Sequence, residues 1–341
     1  MFSWGKHHLD TVIHECPVDL APPEPIGFPE PFETREPLPS PRELATDAPA
    51  IGEGPAAQPL PIMSGLPFAL PSVRADGGEL RDRWVAAASI AGTIHQSEGT
   101  TAQDSYFFMP AQDGSALILA VTDGLGYRPC TAQVGAELLA RLCCSQAAAI
   151  THADAVTDGT ETLVRAIEYA NIQLIGIQRA QLPGWHPSDL HTTLLLCRLP
   201  LTADGGPMLF ARAGDTAAYL LDDAEYTPVF AEVDREEPSN IVESPLPHPN
   251  PRDIIQVATA AMRYCGALVL TTDGLAEDIT ESPQTRAWLA ARWTEPCGAH
   301  RMIDALRYRR RDSHDDRTAL VAWLRPMSGD ETWSDAADSD G

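Results

Sequence analysis

The sequence predicts an α+β fold in which two mostly antiparallel sheets pack face to face and helix pairs cover their outer faces. Three observations lead to this prediction: strand-like apolar runs occur in blocks, helical segments occur in consecutive pairs, and regular strand–helix–strand alternation is missing. A parallel, doubly wound sheet requires that alternation, so layered antiparallel sheets are favoured.

The first 80 residues are predicted to form an N-terminal segment that precedes the folded domain. Residues 1–16 hold enough apolar residues for one short amphipathic helix, whose histidines are solvated or, alternatively, ligate a metal. Half of the 30 prolines fall within residues 17–71, and proline disrupts helices and central strands. This stretch is therefore predicted to be an extended arm, with a proline-rich docking peptide as the alternative.

The folded domain is predicted over residues 81–326, with a first strand at residues 84–92 and a polar loop that contains His95. Further strands are predicted at residues 103–109, 116–122, 192–199, 208–213, 217–221, 226–230, 254–258, 268–272 and 318–324. Apolar residues at helical spacing predict helices at residues 130–150, 160–181, 283–293 and 298–310. Residues 234–252 are interpreted as a loop or flap, and residues 327–341 as an acidic, disordered tail.

Composition and charge exclude several classes of function. The net charge of −24 argues against nonspecific nucleic-acid binding and against docking on anionic membranes, since both need a basic surface. The seven cysteines form no Cys-x-x-Cys pair, which argues against a zinc site. Their odd number, and the position of several in apolar runs, indicate reduced thiols. No apolar run reaches the length of a membrane span, and the N-terminus lacks a signal-peptide core, so a cytoplasmic location is expected.

Four predicted strands carry a carboxylate at one tip, and these acids are Asp123, Asp215, Asp273 and Asp315. An unpaired buried carboxylate is very costly, so such a group is neutralised, paired or bound to a metal. If the four tips meet, they form an oxygen-rich cluster of the kind that Mg²⁺ and Mn²⁺ prefer. The alternative is four unrelated turns, since aspartate is common at strand ends.

The motifs around these acids resemble those of the protein phosphatase 2C family, the metal-dependent Ser/Thr phosphatases, in the form of its divergent bacterial branch. Six motifs carry the resemblance in order between residues 84 and 325. They are Gly92-Thr93-Ile94-His95 with Gln103-Asp104-Ser105, Val121-Thr122-Asp123-Gly124-Leu125-Gly126, His191-Thr192-Thr193-Leu194, Gly214-Asp215-Thr216, Leu270-Thr271-Thr272-Asp273-Gly274-Leu275 and Asp315-Asp316-Arg317-Thr318.

The resemblance implies an αββα sandwich with two Mn²⁺ or Mg²⁺ ions in the cleft between the sheets. Asp123 would bridge the two ions, and the Gly124 carbonyl would ligate one of them. Asp273 and Asp315 would ligate the other ion. A hydroxide that bridges the ions would then attack the phosphorus of phosphoserine or phosphothreonine in a protein.

The resemblance also implies outer positions of the site and partners of the protein. Asp104 would hold metal-bound water, and Asp215 would join Asp273 at the place of a third, weaker ion. The expected partners are a phosphorylated protein substrate and a cognate Ser/Thr kinase. The protein would act in signalling as a monomer.

Three departures from the family pattern keep other interpretations open. Leu125 stands where the family often has a histidine, Ala217 stands where it has an arginine, and no arginine precedes Gln103-Asp104. His95 lies nearest to that missing arginine and would hold a phosphate oxygen when protonated, or else be merely structural. The alternatives for the whole protein are a pseudophosphatase that binds phosphoproteins and an enzyme for small phosphate esters or phosphodiesters.

Overall fold

The computed structural model describes a layered domain within the compact unit Pro41–Gly341. The described residues are 51, 73–81, 83–98, 100–125, 131–201, 206–230, 245–263 and 266–325. The predicted helix at residues 1–16 and the predicted tail at residues 327–341 lie outside them, and so does the predicted arm apart from Ile51. These parts of the domain organisation stay predictions.

The strands of the described residues form two sheets in which every pairing is antiparallel. From edge to edge, the six-stranded sheet consists of β1 (Val73–Leu80), β2 (Arg83–Ile90), β11 (Arg317–Trp323), β10 (Ala267–Thr271), β7 (Ala217–Asp222) and β8 (Glu225–Pro228). The five-stranded sheet consists of β3 (Ser105–Pro110), β4 (Ala116–Thr122), β5 (Leu194–Pro200), β6 (Met208–Ala213) and β9 (Gln256–Ala260).

Helices cover the outer face of each sheet. Beside the five-stranded sheet lie α2 (Thr131–Ala148), α3 (His152–Asp158) and α4 (Glu161–Gln181), which share its outer core. Beside the six-stranded sheet lie α5 (Asp273–Glu281), α6 (Pro283–Trp293) and α7 (Ala299–Leu306). A short helix, α1 (Thr93–Glu98), follows β2. The predicted αββα sandwich of two mostly antiparallel sheets is confirmed.

The central strands are buried on both faces because their residues are apolar without interruption. All seven residues of β4 are buried, with Leu119 pointing into the core between the sheets and Ile118 into the core beneath the helices. In α4 the residues Leu163, Ile167 and Leu174 recur at helical spacing and pack into the same outer core. The sandwich is thus held by one inner core and two outer cores.

Several elements differ from the sequence prediction. The strand β1 is unpredicted, since Gly77, Gly78 and three charged residues hide it; its backbone pairs with β2 along its whole length. The predicted polar loop around His95 forms α1 instead. The helix α5 was missed because Asp273-Gly274 signals a turn, although Leu275 and Ile279 lie on one buried helical face.

Among the described residues, no helix combines the length and the apolar composition that crossing a membrane requires.

Candidate metal centre

The five predicted acidic ligands lie at one end of the sandwich. In the antiparallel registers, Ser105 pairs with Thr122, and Thr271 pairs with both Ala217 and Ala319, so these termini lie together at one end of their own sheet. The hydrogen bond between Thr272 and Asp104 joins the two sheet ends. The acids stand one or two residues outside the strand termini, and they are Asp104, Asp123, Asp215, Asp273 and Asp315. Far-separated parts of the chain therefore deliver their carboxylates to the same end of the fold.

The acids are close enough to change one another's ionisation. Burial and then the charges of Asp273, Asp104, Asp315 and Asp215 raise the pKa of Asp123 well above its usual value. Burial and the charges of Asp315 and Asp215 raise the pKa of Asp273 to about 7. Partial desolvation and the charges of Asp316 and Asp215 also raise the pKa of Asp315, although its side chain is exposed to solvent. Such a set of mutually repelling oxygens fits a hard divalent cation, whose charge would compensate them.

Main-chain contacts fix the turn Asp123-Gly124. The carbonyl oxygen of Asp123 accepts hydrogen bonds from the Thr193 backbone N–H at 2.8 Å and from the Thr192 hydroxyl at 2.7 Å. A Cβ atom on Gly124 would lie 2.6 Å from the carbonyl oxygen of Ala132. Only glycine fits this approach of α2 to the strand end, which explains the Asp-Gly pair physically.

The second Asp-Gly pair stands against the segment that carries Asp315. The Gly274 backbone N–H donates to the Asp273 carboxylate at 2.7 Å. A Cβ atom on Gly274 would lie 2.4 Å from the carbonyl oxygen of Asp316 and 3.0 Å from the Cβ atom of Asp315. The absence of a side chain at Gly274 therefore lets the Asp273 and Asp315 segments approach each other.

Asp104 is held from the opposite sheet. Its carboxylate accepts a hydrogen bond from the Thr272 hydroxyl at 2.7 Å, and Thr272 directly precedes Asp273. Burial and the charges of Asp316 and Asp273 nevertheless raise the pKa of Asp104 well above its usual value. Hydrogen bonds from Thr272 and Thr318 thus favour the charged form of Asp104, while burial and the neighbouring carboxylates oppose it.

Asp316 is a buried residue of the site that the sequence prediction passed over. Its two oxygens accept hydrogen bonds from the backbone N–H groups of Gly92 and Gln103, both at 2.6 Å. Its Oδ1 also lies 2.8 Å from Nδ1 of His95. Asp316 therefore ties α1 and the strand entry at Gln103 to the segment of Asp315. The sequence shows two adjacent acids, Asp315 and Asp316, at this strand end, but it does not show which of them faces the cluster.

His95 lies beside the acids, and His95, Asp315 and Asp316 offer ligand atoms within 4.8 Å of one another. Its imidazole contacts Asp316, and its charge would lower the pKa of Asp315. Whether His95 contacts a phosphate stays a prediction. Glu277, one turn into α5, is a further carboxylate near the site, since the charges of Asp315 and Asp215 contribute to raising its pKa after burial and Glu281.

The structure shows what surrounds two of the positions that depart from the family pattern, Leu125 and Ala217. The Leu125 backbone N–H donates to the His191 carbonyl oxygen at 2.7 Å, and the apolar side chain is partly buried. Arg212 on β6 donates from Nη1 to the Thr216 carbonyl oxygen at 3.1 Å and lies over the Phe230 ring at 4.2 Å. Arg212 therefore supports the turn of Asp215, where Ala217 lacks a guanidinium.

Comparisons with known proteins give the family and agree with the fold. The sequence model of a family described as protein phosphatase 2C matches residues 91–309. The fold is similar to a bacterial serine phosphatase at 17% identity and a TM-score of 0.52, over 73% of this chain and 99% of that chain. It is also similar to the serine/threonine phosphatase of S. agalactiae at 15% identity and a TM-score of 0.51, over 74% and 100% of the chains. No curated protein matches the chain by sequence.

Proposed function

The chain belongs to the protein phosphatase 2C family, and from this premise we propose that it hydrolyses phosphoserine and phosphothreonine in proteins with the help of Mn²⁺ or Mg²⁺. The observation that carries the proposal is the grouping of five aspartates at one end of the sandwich, where burial and the charges of the other four raise the pKa of Asp123. An acidic cluster of this kind is electrostatically costly when it binds nothing.

In this proposal the chain's own residues hold two ions. Asp123 would be a ligand of both ions, the Gly124 carbonyl oxygen would be a ligand of one, and Asp273 and Asp315 would be ligands of the other. When bound, the ions would lower the pKa of water and stabilise charge on the phosphoryl oxygens. Asp215 would take part in a third, weaker site. The donors are all oxygen atoms, which suits Mn²⁺ and Mg²⁺ better than soft metals.

Other residues orient the reactants. Asp104, fixed by Thr272, holds a water molecule toward the cluster. His95 provides positive charge for a phosphate oxygen when it is protonated. Leu125 cannot donate a proton, so water protonates the leaving alkoxide. The substrate is a phosphoprotein, and the enzyme reverses the action of a Ser/Thr kinase.

The apolar residues Leu125 and Ala217 favour a second candidate, a pseudophosphatase that binds phosphoproteins without turnover. It predicts binding of phosphopeptides in the presence of saturating Mn²⁺ and no release of phosphate. Retention of all five carboxylates favours the enzyme.

The test uses the purified full chain and p-nitrophenyl phosphate as substrate. We expect hydrolysis with Mn²⁺, loss of hydrolysis in EDTA, and a decrease in kcat of about a hundredfold or more in Asp123→Asn. The matched control is Asp312→Asn, since Asp312 is exposed in the loop before Asp315 and asparagine tolerates its positive φ of 61°. Equal activity in EDTA would refute the metal-dependent reaction, and full activity of Asp123→Asn would refute the assignment of the site.

A further inference from the structure

A cavity of about 380 Å³ lies beside the carboxylate cluster, between the edge of the six-stranded sheet and the first turns of α2. Its apolar lining comes from Val73 on β1, Ala102 before β3, and Val134 and Leu138 on α2. The volume lies within the range of ligand-binding pockets. Val73 precedes the residues that the family model matches, so this wall is contributed by a separate part of the chain.

The cavity adjoins the proposed metal centre at one shared residue. Asp104 lines the cavity, and its carboxylate belongs to the cluster, where the charge of Asp273 acts on it. Ser105, the next residue, also lines the cavity. Asp104 is therefore shared by the cavity wall and the cluster, so a phosphate at the cluster would bring its flanking residues toward this cavity.

Two charged residues of the cavity wall, Arg74 and Glu137, already satisfy each other. The Arg74 Nη1 atom donates to the Glu137 carboxylate at 2.7 Å, and Glu137 also accepts from the Ser105 hydroxyl. The Arg74 guanidinium lies 4.4 Å from the centre of the Tyr106 ring and 3.5 Å from the Asp76 carboxylate. A charged side chain entering the cavity would lose its hydration and compete with these partners, whereas an apolar side chain would bury surface against Val73 and Val134.

We propose that this cavity is a specificity subsite for an apolar side chain, such as leucine, that flanks the phosphorylated serine or threonine of the substrate. The proposal rests on the proposed function, because the phosphate must lie at the carboxylate cluster. The subsite contributes affinity through burial of the side chain and contributes nothing to the chemistry at phosphorus. It therefore selects among phosphoproteins without affecting small phosphate esters.

The test compares phosphothreonine peptides that differ only in carrying leucine, alanine or glutamate at each flanking position. At one position we expect kcat/KM for leucine to exceed that for alanine by about tenfold, with glutamate lowest. Val73→Asp should bring the leucine-to-alanine ratio close to one. The isosteric Val134→Thr should lower the ratio partly, because its hydroxyl makes the wall polar without changing its shape.

The matched control is Val257→Asp on β9. Val257 is 47% exposed and Val73 is 48% exposed, and each lies on the edge strand of its sheet. Val257→Asp should retain the wild-type leucine-to-alanine ratio. Because the readout is a ratio between peptides, a general loss of activity in any variant cancels.

A parallel binding series separates failure of the subsite from failure of the proposed function. It uses fluorescent peptides with a phosphonate analogue of phosphothreonine in the presence of Mn²⁺, and it measures Kd by anisotropy. The same leucine preference in Kd is expected. Equal values for leucine and alanine at every position would overturn the subsite, as would a wild-type ratio in Val73→Asp. Leucine preference in binding without turnover of any ester would support the subsite and refute the phosphatase activity.

Discussion

Two aspartates in this protein, the partly buried Asp123 and the buried Asp278, have opposite surroundings. Asp123 lies among four other carboxylates, which raise its pKa together with burial. Asp278, only 1% exposed on α5, lies among donors and cations. Its carboxylate accepts from Arg310 Nη1 at 2.7 Å, from Arg317 Nε at 3.0 Å and from the Ser313 hydroxyl at 2.8 Å.

This difference in surroundings indicates a different role for each aspartate. A carboxylate compensated by protein groups stabilises the fold and needs no ligand. A carboxylate surrounded by like charges gains stability when a cation binds. The signs of neighbouring charges, more than burial itself, therefore distinguish a structural aspartate from a candidate metal ligand.

The two sites are also connected. Asp278 lies on the helix that begins at Asp273, and its partners Arg310 and Ser313 precede Asp315. Arg317 follows Asp315 and begins β11. The hydrogen bonds of Asp278 thus join the segment that carries Asp273 to the segment that carries Asp315, the proposed ligands of one ion.

The largest expected effect is a loss of folding stability when the compensated carboxylate, Asp278, is neutralised. Asp278→Asn leaves Arg310 and Arg317 without their buried counter-charge, so we expect the free energy of unfolding to fall by about 3 kcal/mol. Urea denaturation of the metal-free protein measures this change. The control Asp158→Asn removes an exposed ion pair with Arg165 and should cost about 0.5 kcal/mol or less. A loss below about 1 kcal/mol in Asp278→Asn would contradict the structural role.

A smaller effect on stability is expected at the metal centre when pH rises. The pKa of Asp273 is raised to about 7 in the folded state, so the folded protein holds a proton that the unfolded chain releases near pH 4. This contribution to stability is fully present below that lower pH and is lost as pH rises through about 7. The stability of the metal-free protein should therefore fall across this range, by on the order of 2 kcal/mol.

Mn²⁺ sharpens this pH test because it competes with protons for the carboxylates. The increase in Tm caused by Mn²⁺ should grow from pH 5 to pH 8. In Asp123→Asn both the pH dependence of the metal-free protein and the Mn²⁺ effect should shrink, while Asp312→Asn should behave as wild type. A Mn²⁺ effect independent of pH would show that the ions bind elsewhere.

How far the sequence predicts this structure depends on the element. The strands β4 and β10 and the helix α6 were predicted nearly to the residue, because uninterrupted apolar runs and helical spacing are local signals. The strand β1 has no such signal in Val73–Leu80, and it exists because its backbone pairs with β2. Tertiary pairing decides such a segment, and a single sequence does not contain that information.

The candidate site also has features that the sequence predicts and features that it does not. Acids at strand tips are predictable because antiparallel strands bring alternate ends to one edge. The distinct surroundings of Asp315 and Asp316 were not predictable: Asp315 senses the charge of Asp215, whereas Asp316 accepts from backbone N–H groups. The Arg74–Glu137 pair was equally hidden, since 63 positions separate the two residues.

The smallest expected effect concerns His95, which contacts Asp316 and acts electrostatically on Asp315. His95→Gln retains a hydrogen-bond donor for Asp316 but removes the possibility of positive charge near Asp315. If His95 holds a phosphate oxygen, kcat/KM for p-nitrophenyl phosphate should fall by about tenfold at pH 6 and by less at pH 8, with Tm nearly unchanged. The exposed His152→Gln is the matched control. A fall in Tm with kcat/KM unchanged at both pH values would instead make His95 a structural partner of Asp316. Its role would then resemble that of the donors and cations around Asp278.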